Sequence, residues 1–339
     1  MRIAVFSAKR YDHRFLAAAN ARFQHDLVFF EPKLDLDTAK LAEGFAGVCV
    51  FVNDCLDRAV LEHLKAGGVT LVALRCAGFN NVDLQAADDL GISVVRVPAY
   101  SPDAVAEFTI GLLLTLERKI HRAWARVRDD NFALDGLIGH NLHGRVIGVV
   151  GTGRIGALVA RALRLGFGCE VLASDLTVDA ELAAIGVRYV SAGELLERCD
   201  IVTLHCPLTP ETHHLINAVT IEKAKQGLTI VNTSRGALID TAALIEGLKR
   251  GRIGGVALDV YEQEADLFFA DLSDEIVQDD VFQRLLTFPN VLVTGHQAFL
   301  TEEALAAIAA TTLANIADAE ANRPLHNRVT AMSVQPAGH

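Results

Sequence analysis

The 339-residue sequence predicts an α/β protein made of two doubly wound parallel-sheet domains. Three observations carry this reading: short runs rich in Val and Ile recur along the chain, they are nearly continuously apolar, and helical segments separate them. A strand that is apolar on both sides needs both sheet faces covered, as in a parallel sheet flanked by helices. The runs form two series divided by one long helical stretch, and the chain is longer than a single hydrophobic core usually serves.

The first series is RIAVFS (2–7), LVFFE (27–31), GVCVFV (47–52), VTLVALR (69–75) and SVVRV (93–97). Ser101-Pro102-Asp103 then gives a start signal for the stretch AEFTIGLLLTLERKIHRAWARVRDD, whose apolar residues recur at helical spacing. It carries more apolar surface than a lone surface helix needs, which predicts one helix used between domains or between subunits. The second series is RVIGVVG (145–151), EVLASD (170–175), DIVTLH (200–205), LTIVNTS (228–234), GGVALDV (254–260) and NVLVTG (290–295). The tail from Pro324 to His339, with two prolines and few apolar residues, reads as loosely held.

Hydrophobic residues make up 51% and charged residues 22%, enough for a sizeable core and contrary to disorder. The net charge of -11, from 31 basic against 42 acidic residues, argues against a nucleic-acid surface. An anionic substrate would need a local positive group. The six cysteines are scattered without a CxxC pair, so neither a disulfide framework nor a metal site is expected; they read as buried thiols in a reducing compartment. The N-terminal apolar segment is too short for a secretion signal and no apolar run is long enough to span a bilayer, so a cytoplasmic protein without a membrane partner is expected.

In VIGVVGTGRIGALVARAL, Gly151, Gly153 and Gly156 form G-x-G-x-x-G directly after a strand and at the opening of a helix. Such a turn lets backbone approach a pyrophosphate, and the helix start turns unpaired N–H groups toward it. Asp175 ends the next strand, 19 positions beyond Gly156, where a carboxylate can accept from a ribose. Leu176 and Thr177 offer no arginine for a 2′-phosphate, so NAD is favoured over NADP.

Ligands of such sheets bind past the C-terminal ends of the strands. Arg235 follows IVNTS there, and a planar guanidinium can hold the carboxylate and ketone of a 2-oxo acid together. His296 follows VLVTG, and an imidazole titrating near neutrality can give a proton to a ketone and take one from an alcohol. A carboxylate would orient that ring, and Glu262, Glu264 and Asp266 are all candidates by spacing. His213 and His214 lack a strand-end setting and read as solvated.

GTGRIG, Asp175, HCPLTPET, NTSRG, ALDVYE and TGHQAF, in this order and over nearly the whole chain, resemble the D-isomer-specific 2-hydroxyacid dehydrogenases. RCAGFNNVDL, DLFFADLSDEIVQDDVFQRL and GHQAFLTEEAL are similar to the fermentative D-lactate dehydrogenase branch. The resemblance implies a flavodoxin-like substrate domain from residues 1–100 and 300–339, a Rossmann NAD-binding domain over 101–299, and a cleft between them. It assigns catalysis to Arg235, Glu264 and His296, with Glu264 paired to the imidazole. Backbone N–H groups in the loop Cys76-Ala77-Gly78 would meet the substrate carboxylate, with Tyr100 and Phe299 lining the substrate side. At the cofactor it implies Arg154, Ile155, Cys206, Pro207, Thr212, Thr233 and Asp259, besides the three glycines and Asp175. Thr212 stands where relatives often carry asparagine, and Phe299 lacks the hydroxyl that some relatives have.

The expected reaction is the reversible reduction of pyruvate to D-lactate by NADH, in a homo-oligomer, dimer or tetramer. Bulkier 2-oxo acids such as phenylpyruvate or 2-oxoisocaproate are an alternative. An NAD-sensing, co-repressor-like binding protein is another, opposed by the acidic composition and the lactate-type insertion.

Overall fold

The computed structural model describes residues 1–334, which divide into two compact units. The first comprises Met1–Ser101 with Leu300–His339, described as far as residue 334, and the second Pro102–Phe299. Both are α/β, as the continuous apolar runs predict.

The first unit holds β1 (Arg2–Val5), β2 (Asp26–Phe29), β3 (Gly47–Val50), β4 (Leu71–Leu74), β5 (Ser93–Val95) and β13 (Arg328–Val329) in the order β13-β5-β4-β3-β1-β2. All pairs are parallel except β13 on β5. β3 and β4 are buried at every position, since helices cover both faces. The helix Glu302–Glu320 starts where the Thr301 hydroxyl accepts from the Ala304 N–H at 3.1 Å, and buries Ala309, Leu313 and Ile316 against Ile3, Val5, Leu16 and Ala73.

The second unit holds β6 (Val146–Val150), β7 (Glu170–Ser174), β8 (Arg188–Tyr189), β9 (Ile201–Leu204), β10 (Leu228–Asn232), β11 (Ile253–Leu258) and β12 (Val291–Val293), all parallel, in the order β12-β11-β10-β9-β6-β7-β8. Two clusters of buried side chains cover the faces, one around Val202, Ile230 and Val256 and the other around Ile147, Val171 and Ala257.

Four expectations need correction. The predicted long helix is two, Pro102–Glu117 and Ile120–Arg128, because Lys119 between them turns left-handed at φ 53°. Leu112, Leu113 and Leu116 of the first are buried, whereas the second has no buried residue. β8 and β13 were not anticipated: at two residues each they carry no periodicity. β13 and the 3₁₀ turn Ala331–Val334 also give the supposedly loose tail regular structure, its remainder, 335–339, lying outside the described residues. Finally, five cysteines are buried but Cys55, in the turn before Leu56, is exposed. Among the described residues no helix is long and apolar enough to cross a membrane.

Candidate active site

Because neighbours in the second sheet are parallel, every strand delivers its C-terminal end to one edge, and the strand order reverses between β6 and β9. At Gly151, just past β6, φ is +89° and a Cβ would lie 2.6 Å from the Cys206 nitrogen, so only glycine fits. At Gly156 a Cβ would fall 1.9 Å from the Gly151 carbonyl oxygen, so the helix Arg154–Arg161 reaches the turn only without a side chain there. The space beside Gly153, which precedes Arg154 and Ile155 at the helix start, is open.

Asp175 follows β7, and its carboxylate accepts from the Thr152 N–H at 2.5 Å, the Thr152 hydroxyl at 3.2 Å and the Thr177 N–H at 3.2 Å. Partial burial alone would raise its pKa, but these hydrogen bonds prevail and hold it below the usual carboxylate range. Tyr189, at the end of β8, donates to the Thr152 hydroxyl at 3.0 Å and so supports the acid from behind. Sequence reasoning missed Thr152 and Tyr189; the first was visible as the residue between two fingerprint glycines. A cavity of about 510 Å³ opens beside Thr152, Gly153, Asp175 and Thr177, and none of its lining residues is a cation. A bare turn, open helix N–H groups and a deprotonated acid fit a dinucleotide without a 2′-phosphate.

The other expected cofactor residues are held mostly by side chains and backbone groups outside the expected set. Cys206 is buried, which pushes its thiol up to about 11, and its carbonyl accepts from the Ser234 hydroxyl at 2.8 Å. The Thr212 hydroxyl accepts from the Thr209 N–H and donates to the Pro207 carbonyl at 2.7 Å, closing its own loop. The Thr109 hydroxyl gives its single proton to the Val105 carbonyl at 2.7 Å, so Thr233 is the donor in the 2.8 Å Thr233–Thr109 bond.

β10, β11 and β12 are adjacent, which brings together the residues that follow them. Gly236 makes this close: a Cβ there would lie 2.0 Å from the Tyr261 carbonyl carbon, so the Arg235 turn rests on the segment carrying the acids. Arg235 is half-buried, donates to the Ser234 carbonyl at 2.7 Å, and has no ion pair among the described residues. His296 is left-handed at φ 52° and donates its N–H to the Asp259 carbonyl at 2.7 Å. The Asp259 carboxylate, fully enclosed, accepts from the Thr294 hydroxyl at 2.6 Å and from the N–H groups of Gln297 and Ala298. Burial raises its pKa and these bonds oppose the rise; it serves as the support of the turn that presents His296.

The ring Nδ1 lies 2.8 Å from Glu264 Oε1, while Glu264 Oε2 accepts from the Tyr261 N–H at 2.9 Å. An ionised carboxylate only accepts, so Nδ1 carries the proton of that bond, and Nε2 has no hydrogen-bond partner among the described residues. The Phe269 ring lies 5.6 Å from the imidazole. The ambiguity among the acids resolves for Glu262, which meets His214 at 2.6 Å and accepts from the Thr241 hydroxyl at 2.9 Å. His214 is therefore not solvated as expected: it is half-buried and hydrogen-bonded to Glu262, with the exposed His213 stacked on it at 3.9 Å. Ala77, Gly78 and Tyr100 belong to the first unit, and Phe299, buried, ends the second. Among the described residues no cluster of three or more metal-binding side chains occurs.

Residues 110–298 match the family model described as D-isomer specific 2-hydroxyacid dehydrogenase, NAD binding domain. The chain is 56% identical over 318 residues to 2-hydroxyacid dehydrogenase homolog 1 of Schizosaccharomyces pombe, covering 94% of this chain and 96% of the relative. It is 53% identical over 329 residues to the D-lactate dehydrogenase of Escherichia coli, covering 97% and 100%. A solved structure concerning the pyruvate reductase of Chlamydomonas reinhardtii superposes with a TM-score of 0.91 at 48% identity, over 96% of this chain and 98% of that one. Fold, nucleotide turn and relatives agree: the chain belongs to the D-isomer-specific 2-hydroxyacid dehydrogenases, enzymes that use NAD.

Proposed function

We propose that this enzyme interconverts pyruvate and D-lactate, with His296 as the acid and base. The observation that carries the reading is the imidazole held at Nδ1 by Glu264, its Nε2 without a hydrogen-bond partner among the described residues, beside the turn of the half-buried Arg235, which has no ion pair among them. Bound NADH supplies the hydride that reduces the carbonyl carbon. Arg235 clamps the carboxylate and carbonyl oxygens of the 2-oxo acid through two donors in one plane. Nε2 of His296 gives its proton to the carbonyl oxygen as negative charge develops there, and takes it back from the hydroxyl in reverse. Glu264 keeps the ring oriented and stabilises its charged form. Ala77 and Gly78 contribute N–H groups to the carboxylate, and Tyr100 and Phe299 line the substrate side. Arg154 and Ile155 lie at the pyrophosphate, Asp175 at the ribose, and Cys206, Pro207, Thr212, Thr233 and Asp259 form or support the cofactor surface.

Pyruvate is favoured over bulkier acids because the relatives named above include a D-lactate dehydrogenase and a pyruvate reductase. NADH oxidation with pyruvate, phenylpyruvate and 2-oxoisocaproate, with the product's chirality determined, tests this. Turnover far better on the bulky acids, or an L product, would sink it. We further propose a homo-oligomer, since Trp124, Phe132, Leu134 and Ile138 are exposed around the second of the two helices, and a cytoplasmic setting, consistent with six free cysteines.

A further inference from the structure

In the first unit, the loop after β4 is held from behind by a residue that has no assigned role in the site described above. Arg96, just past β5, donates from Nη1 to the carbonyl oxygen of Ala77 at 2.8 Å, and its guanidinium lies 5.1 Å from the Phe79 ring centre. Its own backbone is pinned on both sides: the N–H donates to the Asn327 carbonyl at 3.1 Å and the carbonyl accepts from Asn315 Nδ2 at 2.9 Å. Arg96 is therefore a fixed donor on a fixed strand end.

The Ala77 carbonyl and the Gly78 N–H belong to one planar trans peptide and point in opposite directions. A donor that holds the carbonyl therefore aims the N–H to the other side. Among the described residues neither the Ala77 N–H nor the Gly78 N–H has a hydrogen-bond partner. No carboxylate pairs with Arg96 among the described residues either, although burial lowers its pKa. A positive charge without a carboxylate partner among the described residues, on a protein of net charge -11, stands behind the unused Gly78 N–H.

We propose that Arg96 is a positioning residue for the substrate carboxylate: it orients the peptide of Ala77 and Gly78 and adds positive potential behind it. The proposal deepens the functional reading and rests on that loop receiving the carboxylate. Arg96 does not touch substrate, so its removal should weaken carboxylate binding and spare the proton and hydride steps.

Steady-state kinetics with pyruvate, together with binding of oxamate to the NADH-loaded enzyme, tests this. Arg96→Gln should raise the pyruvate KM and the oxamate Kd about 10-fold, with kcat within about 2-fold and NADH affinity unchanged. Arg96→Lys keeps the charge but loses the planar fork, and should raise both constants about 3-fold. If the Gln variant does not fold, the Lys variant decides by the same measurements. Unchanged KM and oxamate Kd, or a parallel fall in kcat and NADH affinity, would overturn the proposal. Wild-type enzyme inactive on every 2-oxo acid would defeat the functional reading instead.

Discussion

His296 and His214 both pair with a glutamate, and what separates them is the nitrogen used. His214 meets Glu262 through Nε2 beneath the stacked ring of His213, whereas His296 meets Glu264 through Nδ1 and keeps Nε2 available. An imidazole–carboxylate pair alone therefore does not mark an acid-base centre. His296→Gln is expected to lower kcat at least ~1,000-fold with NADH affinity kept. His214→Gln should keep kcat within a few-fold but lower the melting temperature, because it removes the imidazole that Glu262 Oε1 meets in a half-buried setting and leaves only the Thr241 bonds to that carboxylate. Retention of turnover in the first, or its loss in the second, would reverse the two roles. Sequence spacing could not choose among Glu262, Glu264 and Asp266 because all three follow β11 at every second position. The choice is made by tertiary contacts, which spacing does not encode.

At the scale of elements, the longer strands were legible because burial on both sheet faces writes itself as continuous apolar sequence. The break at Lys119 was not, since the apolar period continues through it and only the backbone turns. The glycine turn separates stability from binding. Gly153 has an ordinary φ of -64° and open space around it, so Gly153→Ala should fold with a near-native melting temperature yet bind NADH at least ~10-fold more weakly. Gly156→Ala forces the helix off the Gly151 carbonyl and should lose both. Equal melting temperatures in the two variants would contradict this division.

The opposite edge of the same sheet offers a control. There Asp200 accepts from the Val146 N–H at 3.0 Å and from Lys225 at 2.7 Å. Burial opposes ionisation, but these bonds hold its pKa below the ordinary value of 3.8. A depressed folded pKa means a contribution fully present above that value and lost as pH falls through the folded one. Asp200→Asn should thus cost roughly 1–2 kcal/mol near neutrality, discounted for the pair's exposure, with kcat unchanged, and the difference should vanish in acid unfolding curves.

For the whole molecule, the two strand series were readable, but the return of the C-terminal segment to the first sheet was not: two-residue β13 leaves no periodic trace. The apolar side chains of the helix Ile120–Arg128 and the loop after it bear on assembly. If the proposed dimer or tetramer forms through them, Trp124→Glu combined with Ile138→Asp should lower the mass measured by light scattering to that of a monomer, and an unchanged mass would count against this surface as the interface. The β5–β13 pairing also bears on biosynthesis. The second unit is one uninterrupted stretch, Pro102–Phe299, whereas the core of the first lacks Ala309, Leu313 and Ile316 until the last part of the chain is made. On the ribosome, the nucleotide-binding half can therefore complete its sheet while the half made first still waits for its closing helix. A chain truncated and released after residue 299 should yield a protease-resistant second unit attached to a protease-sensitive first one.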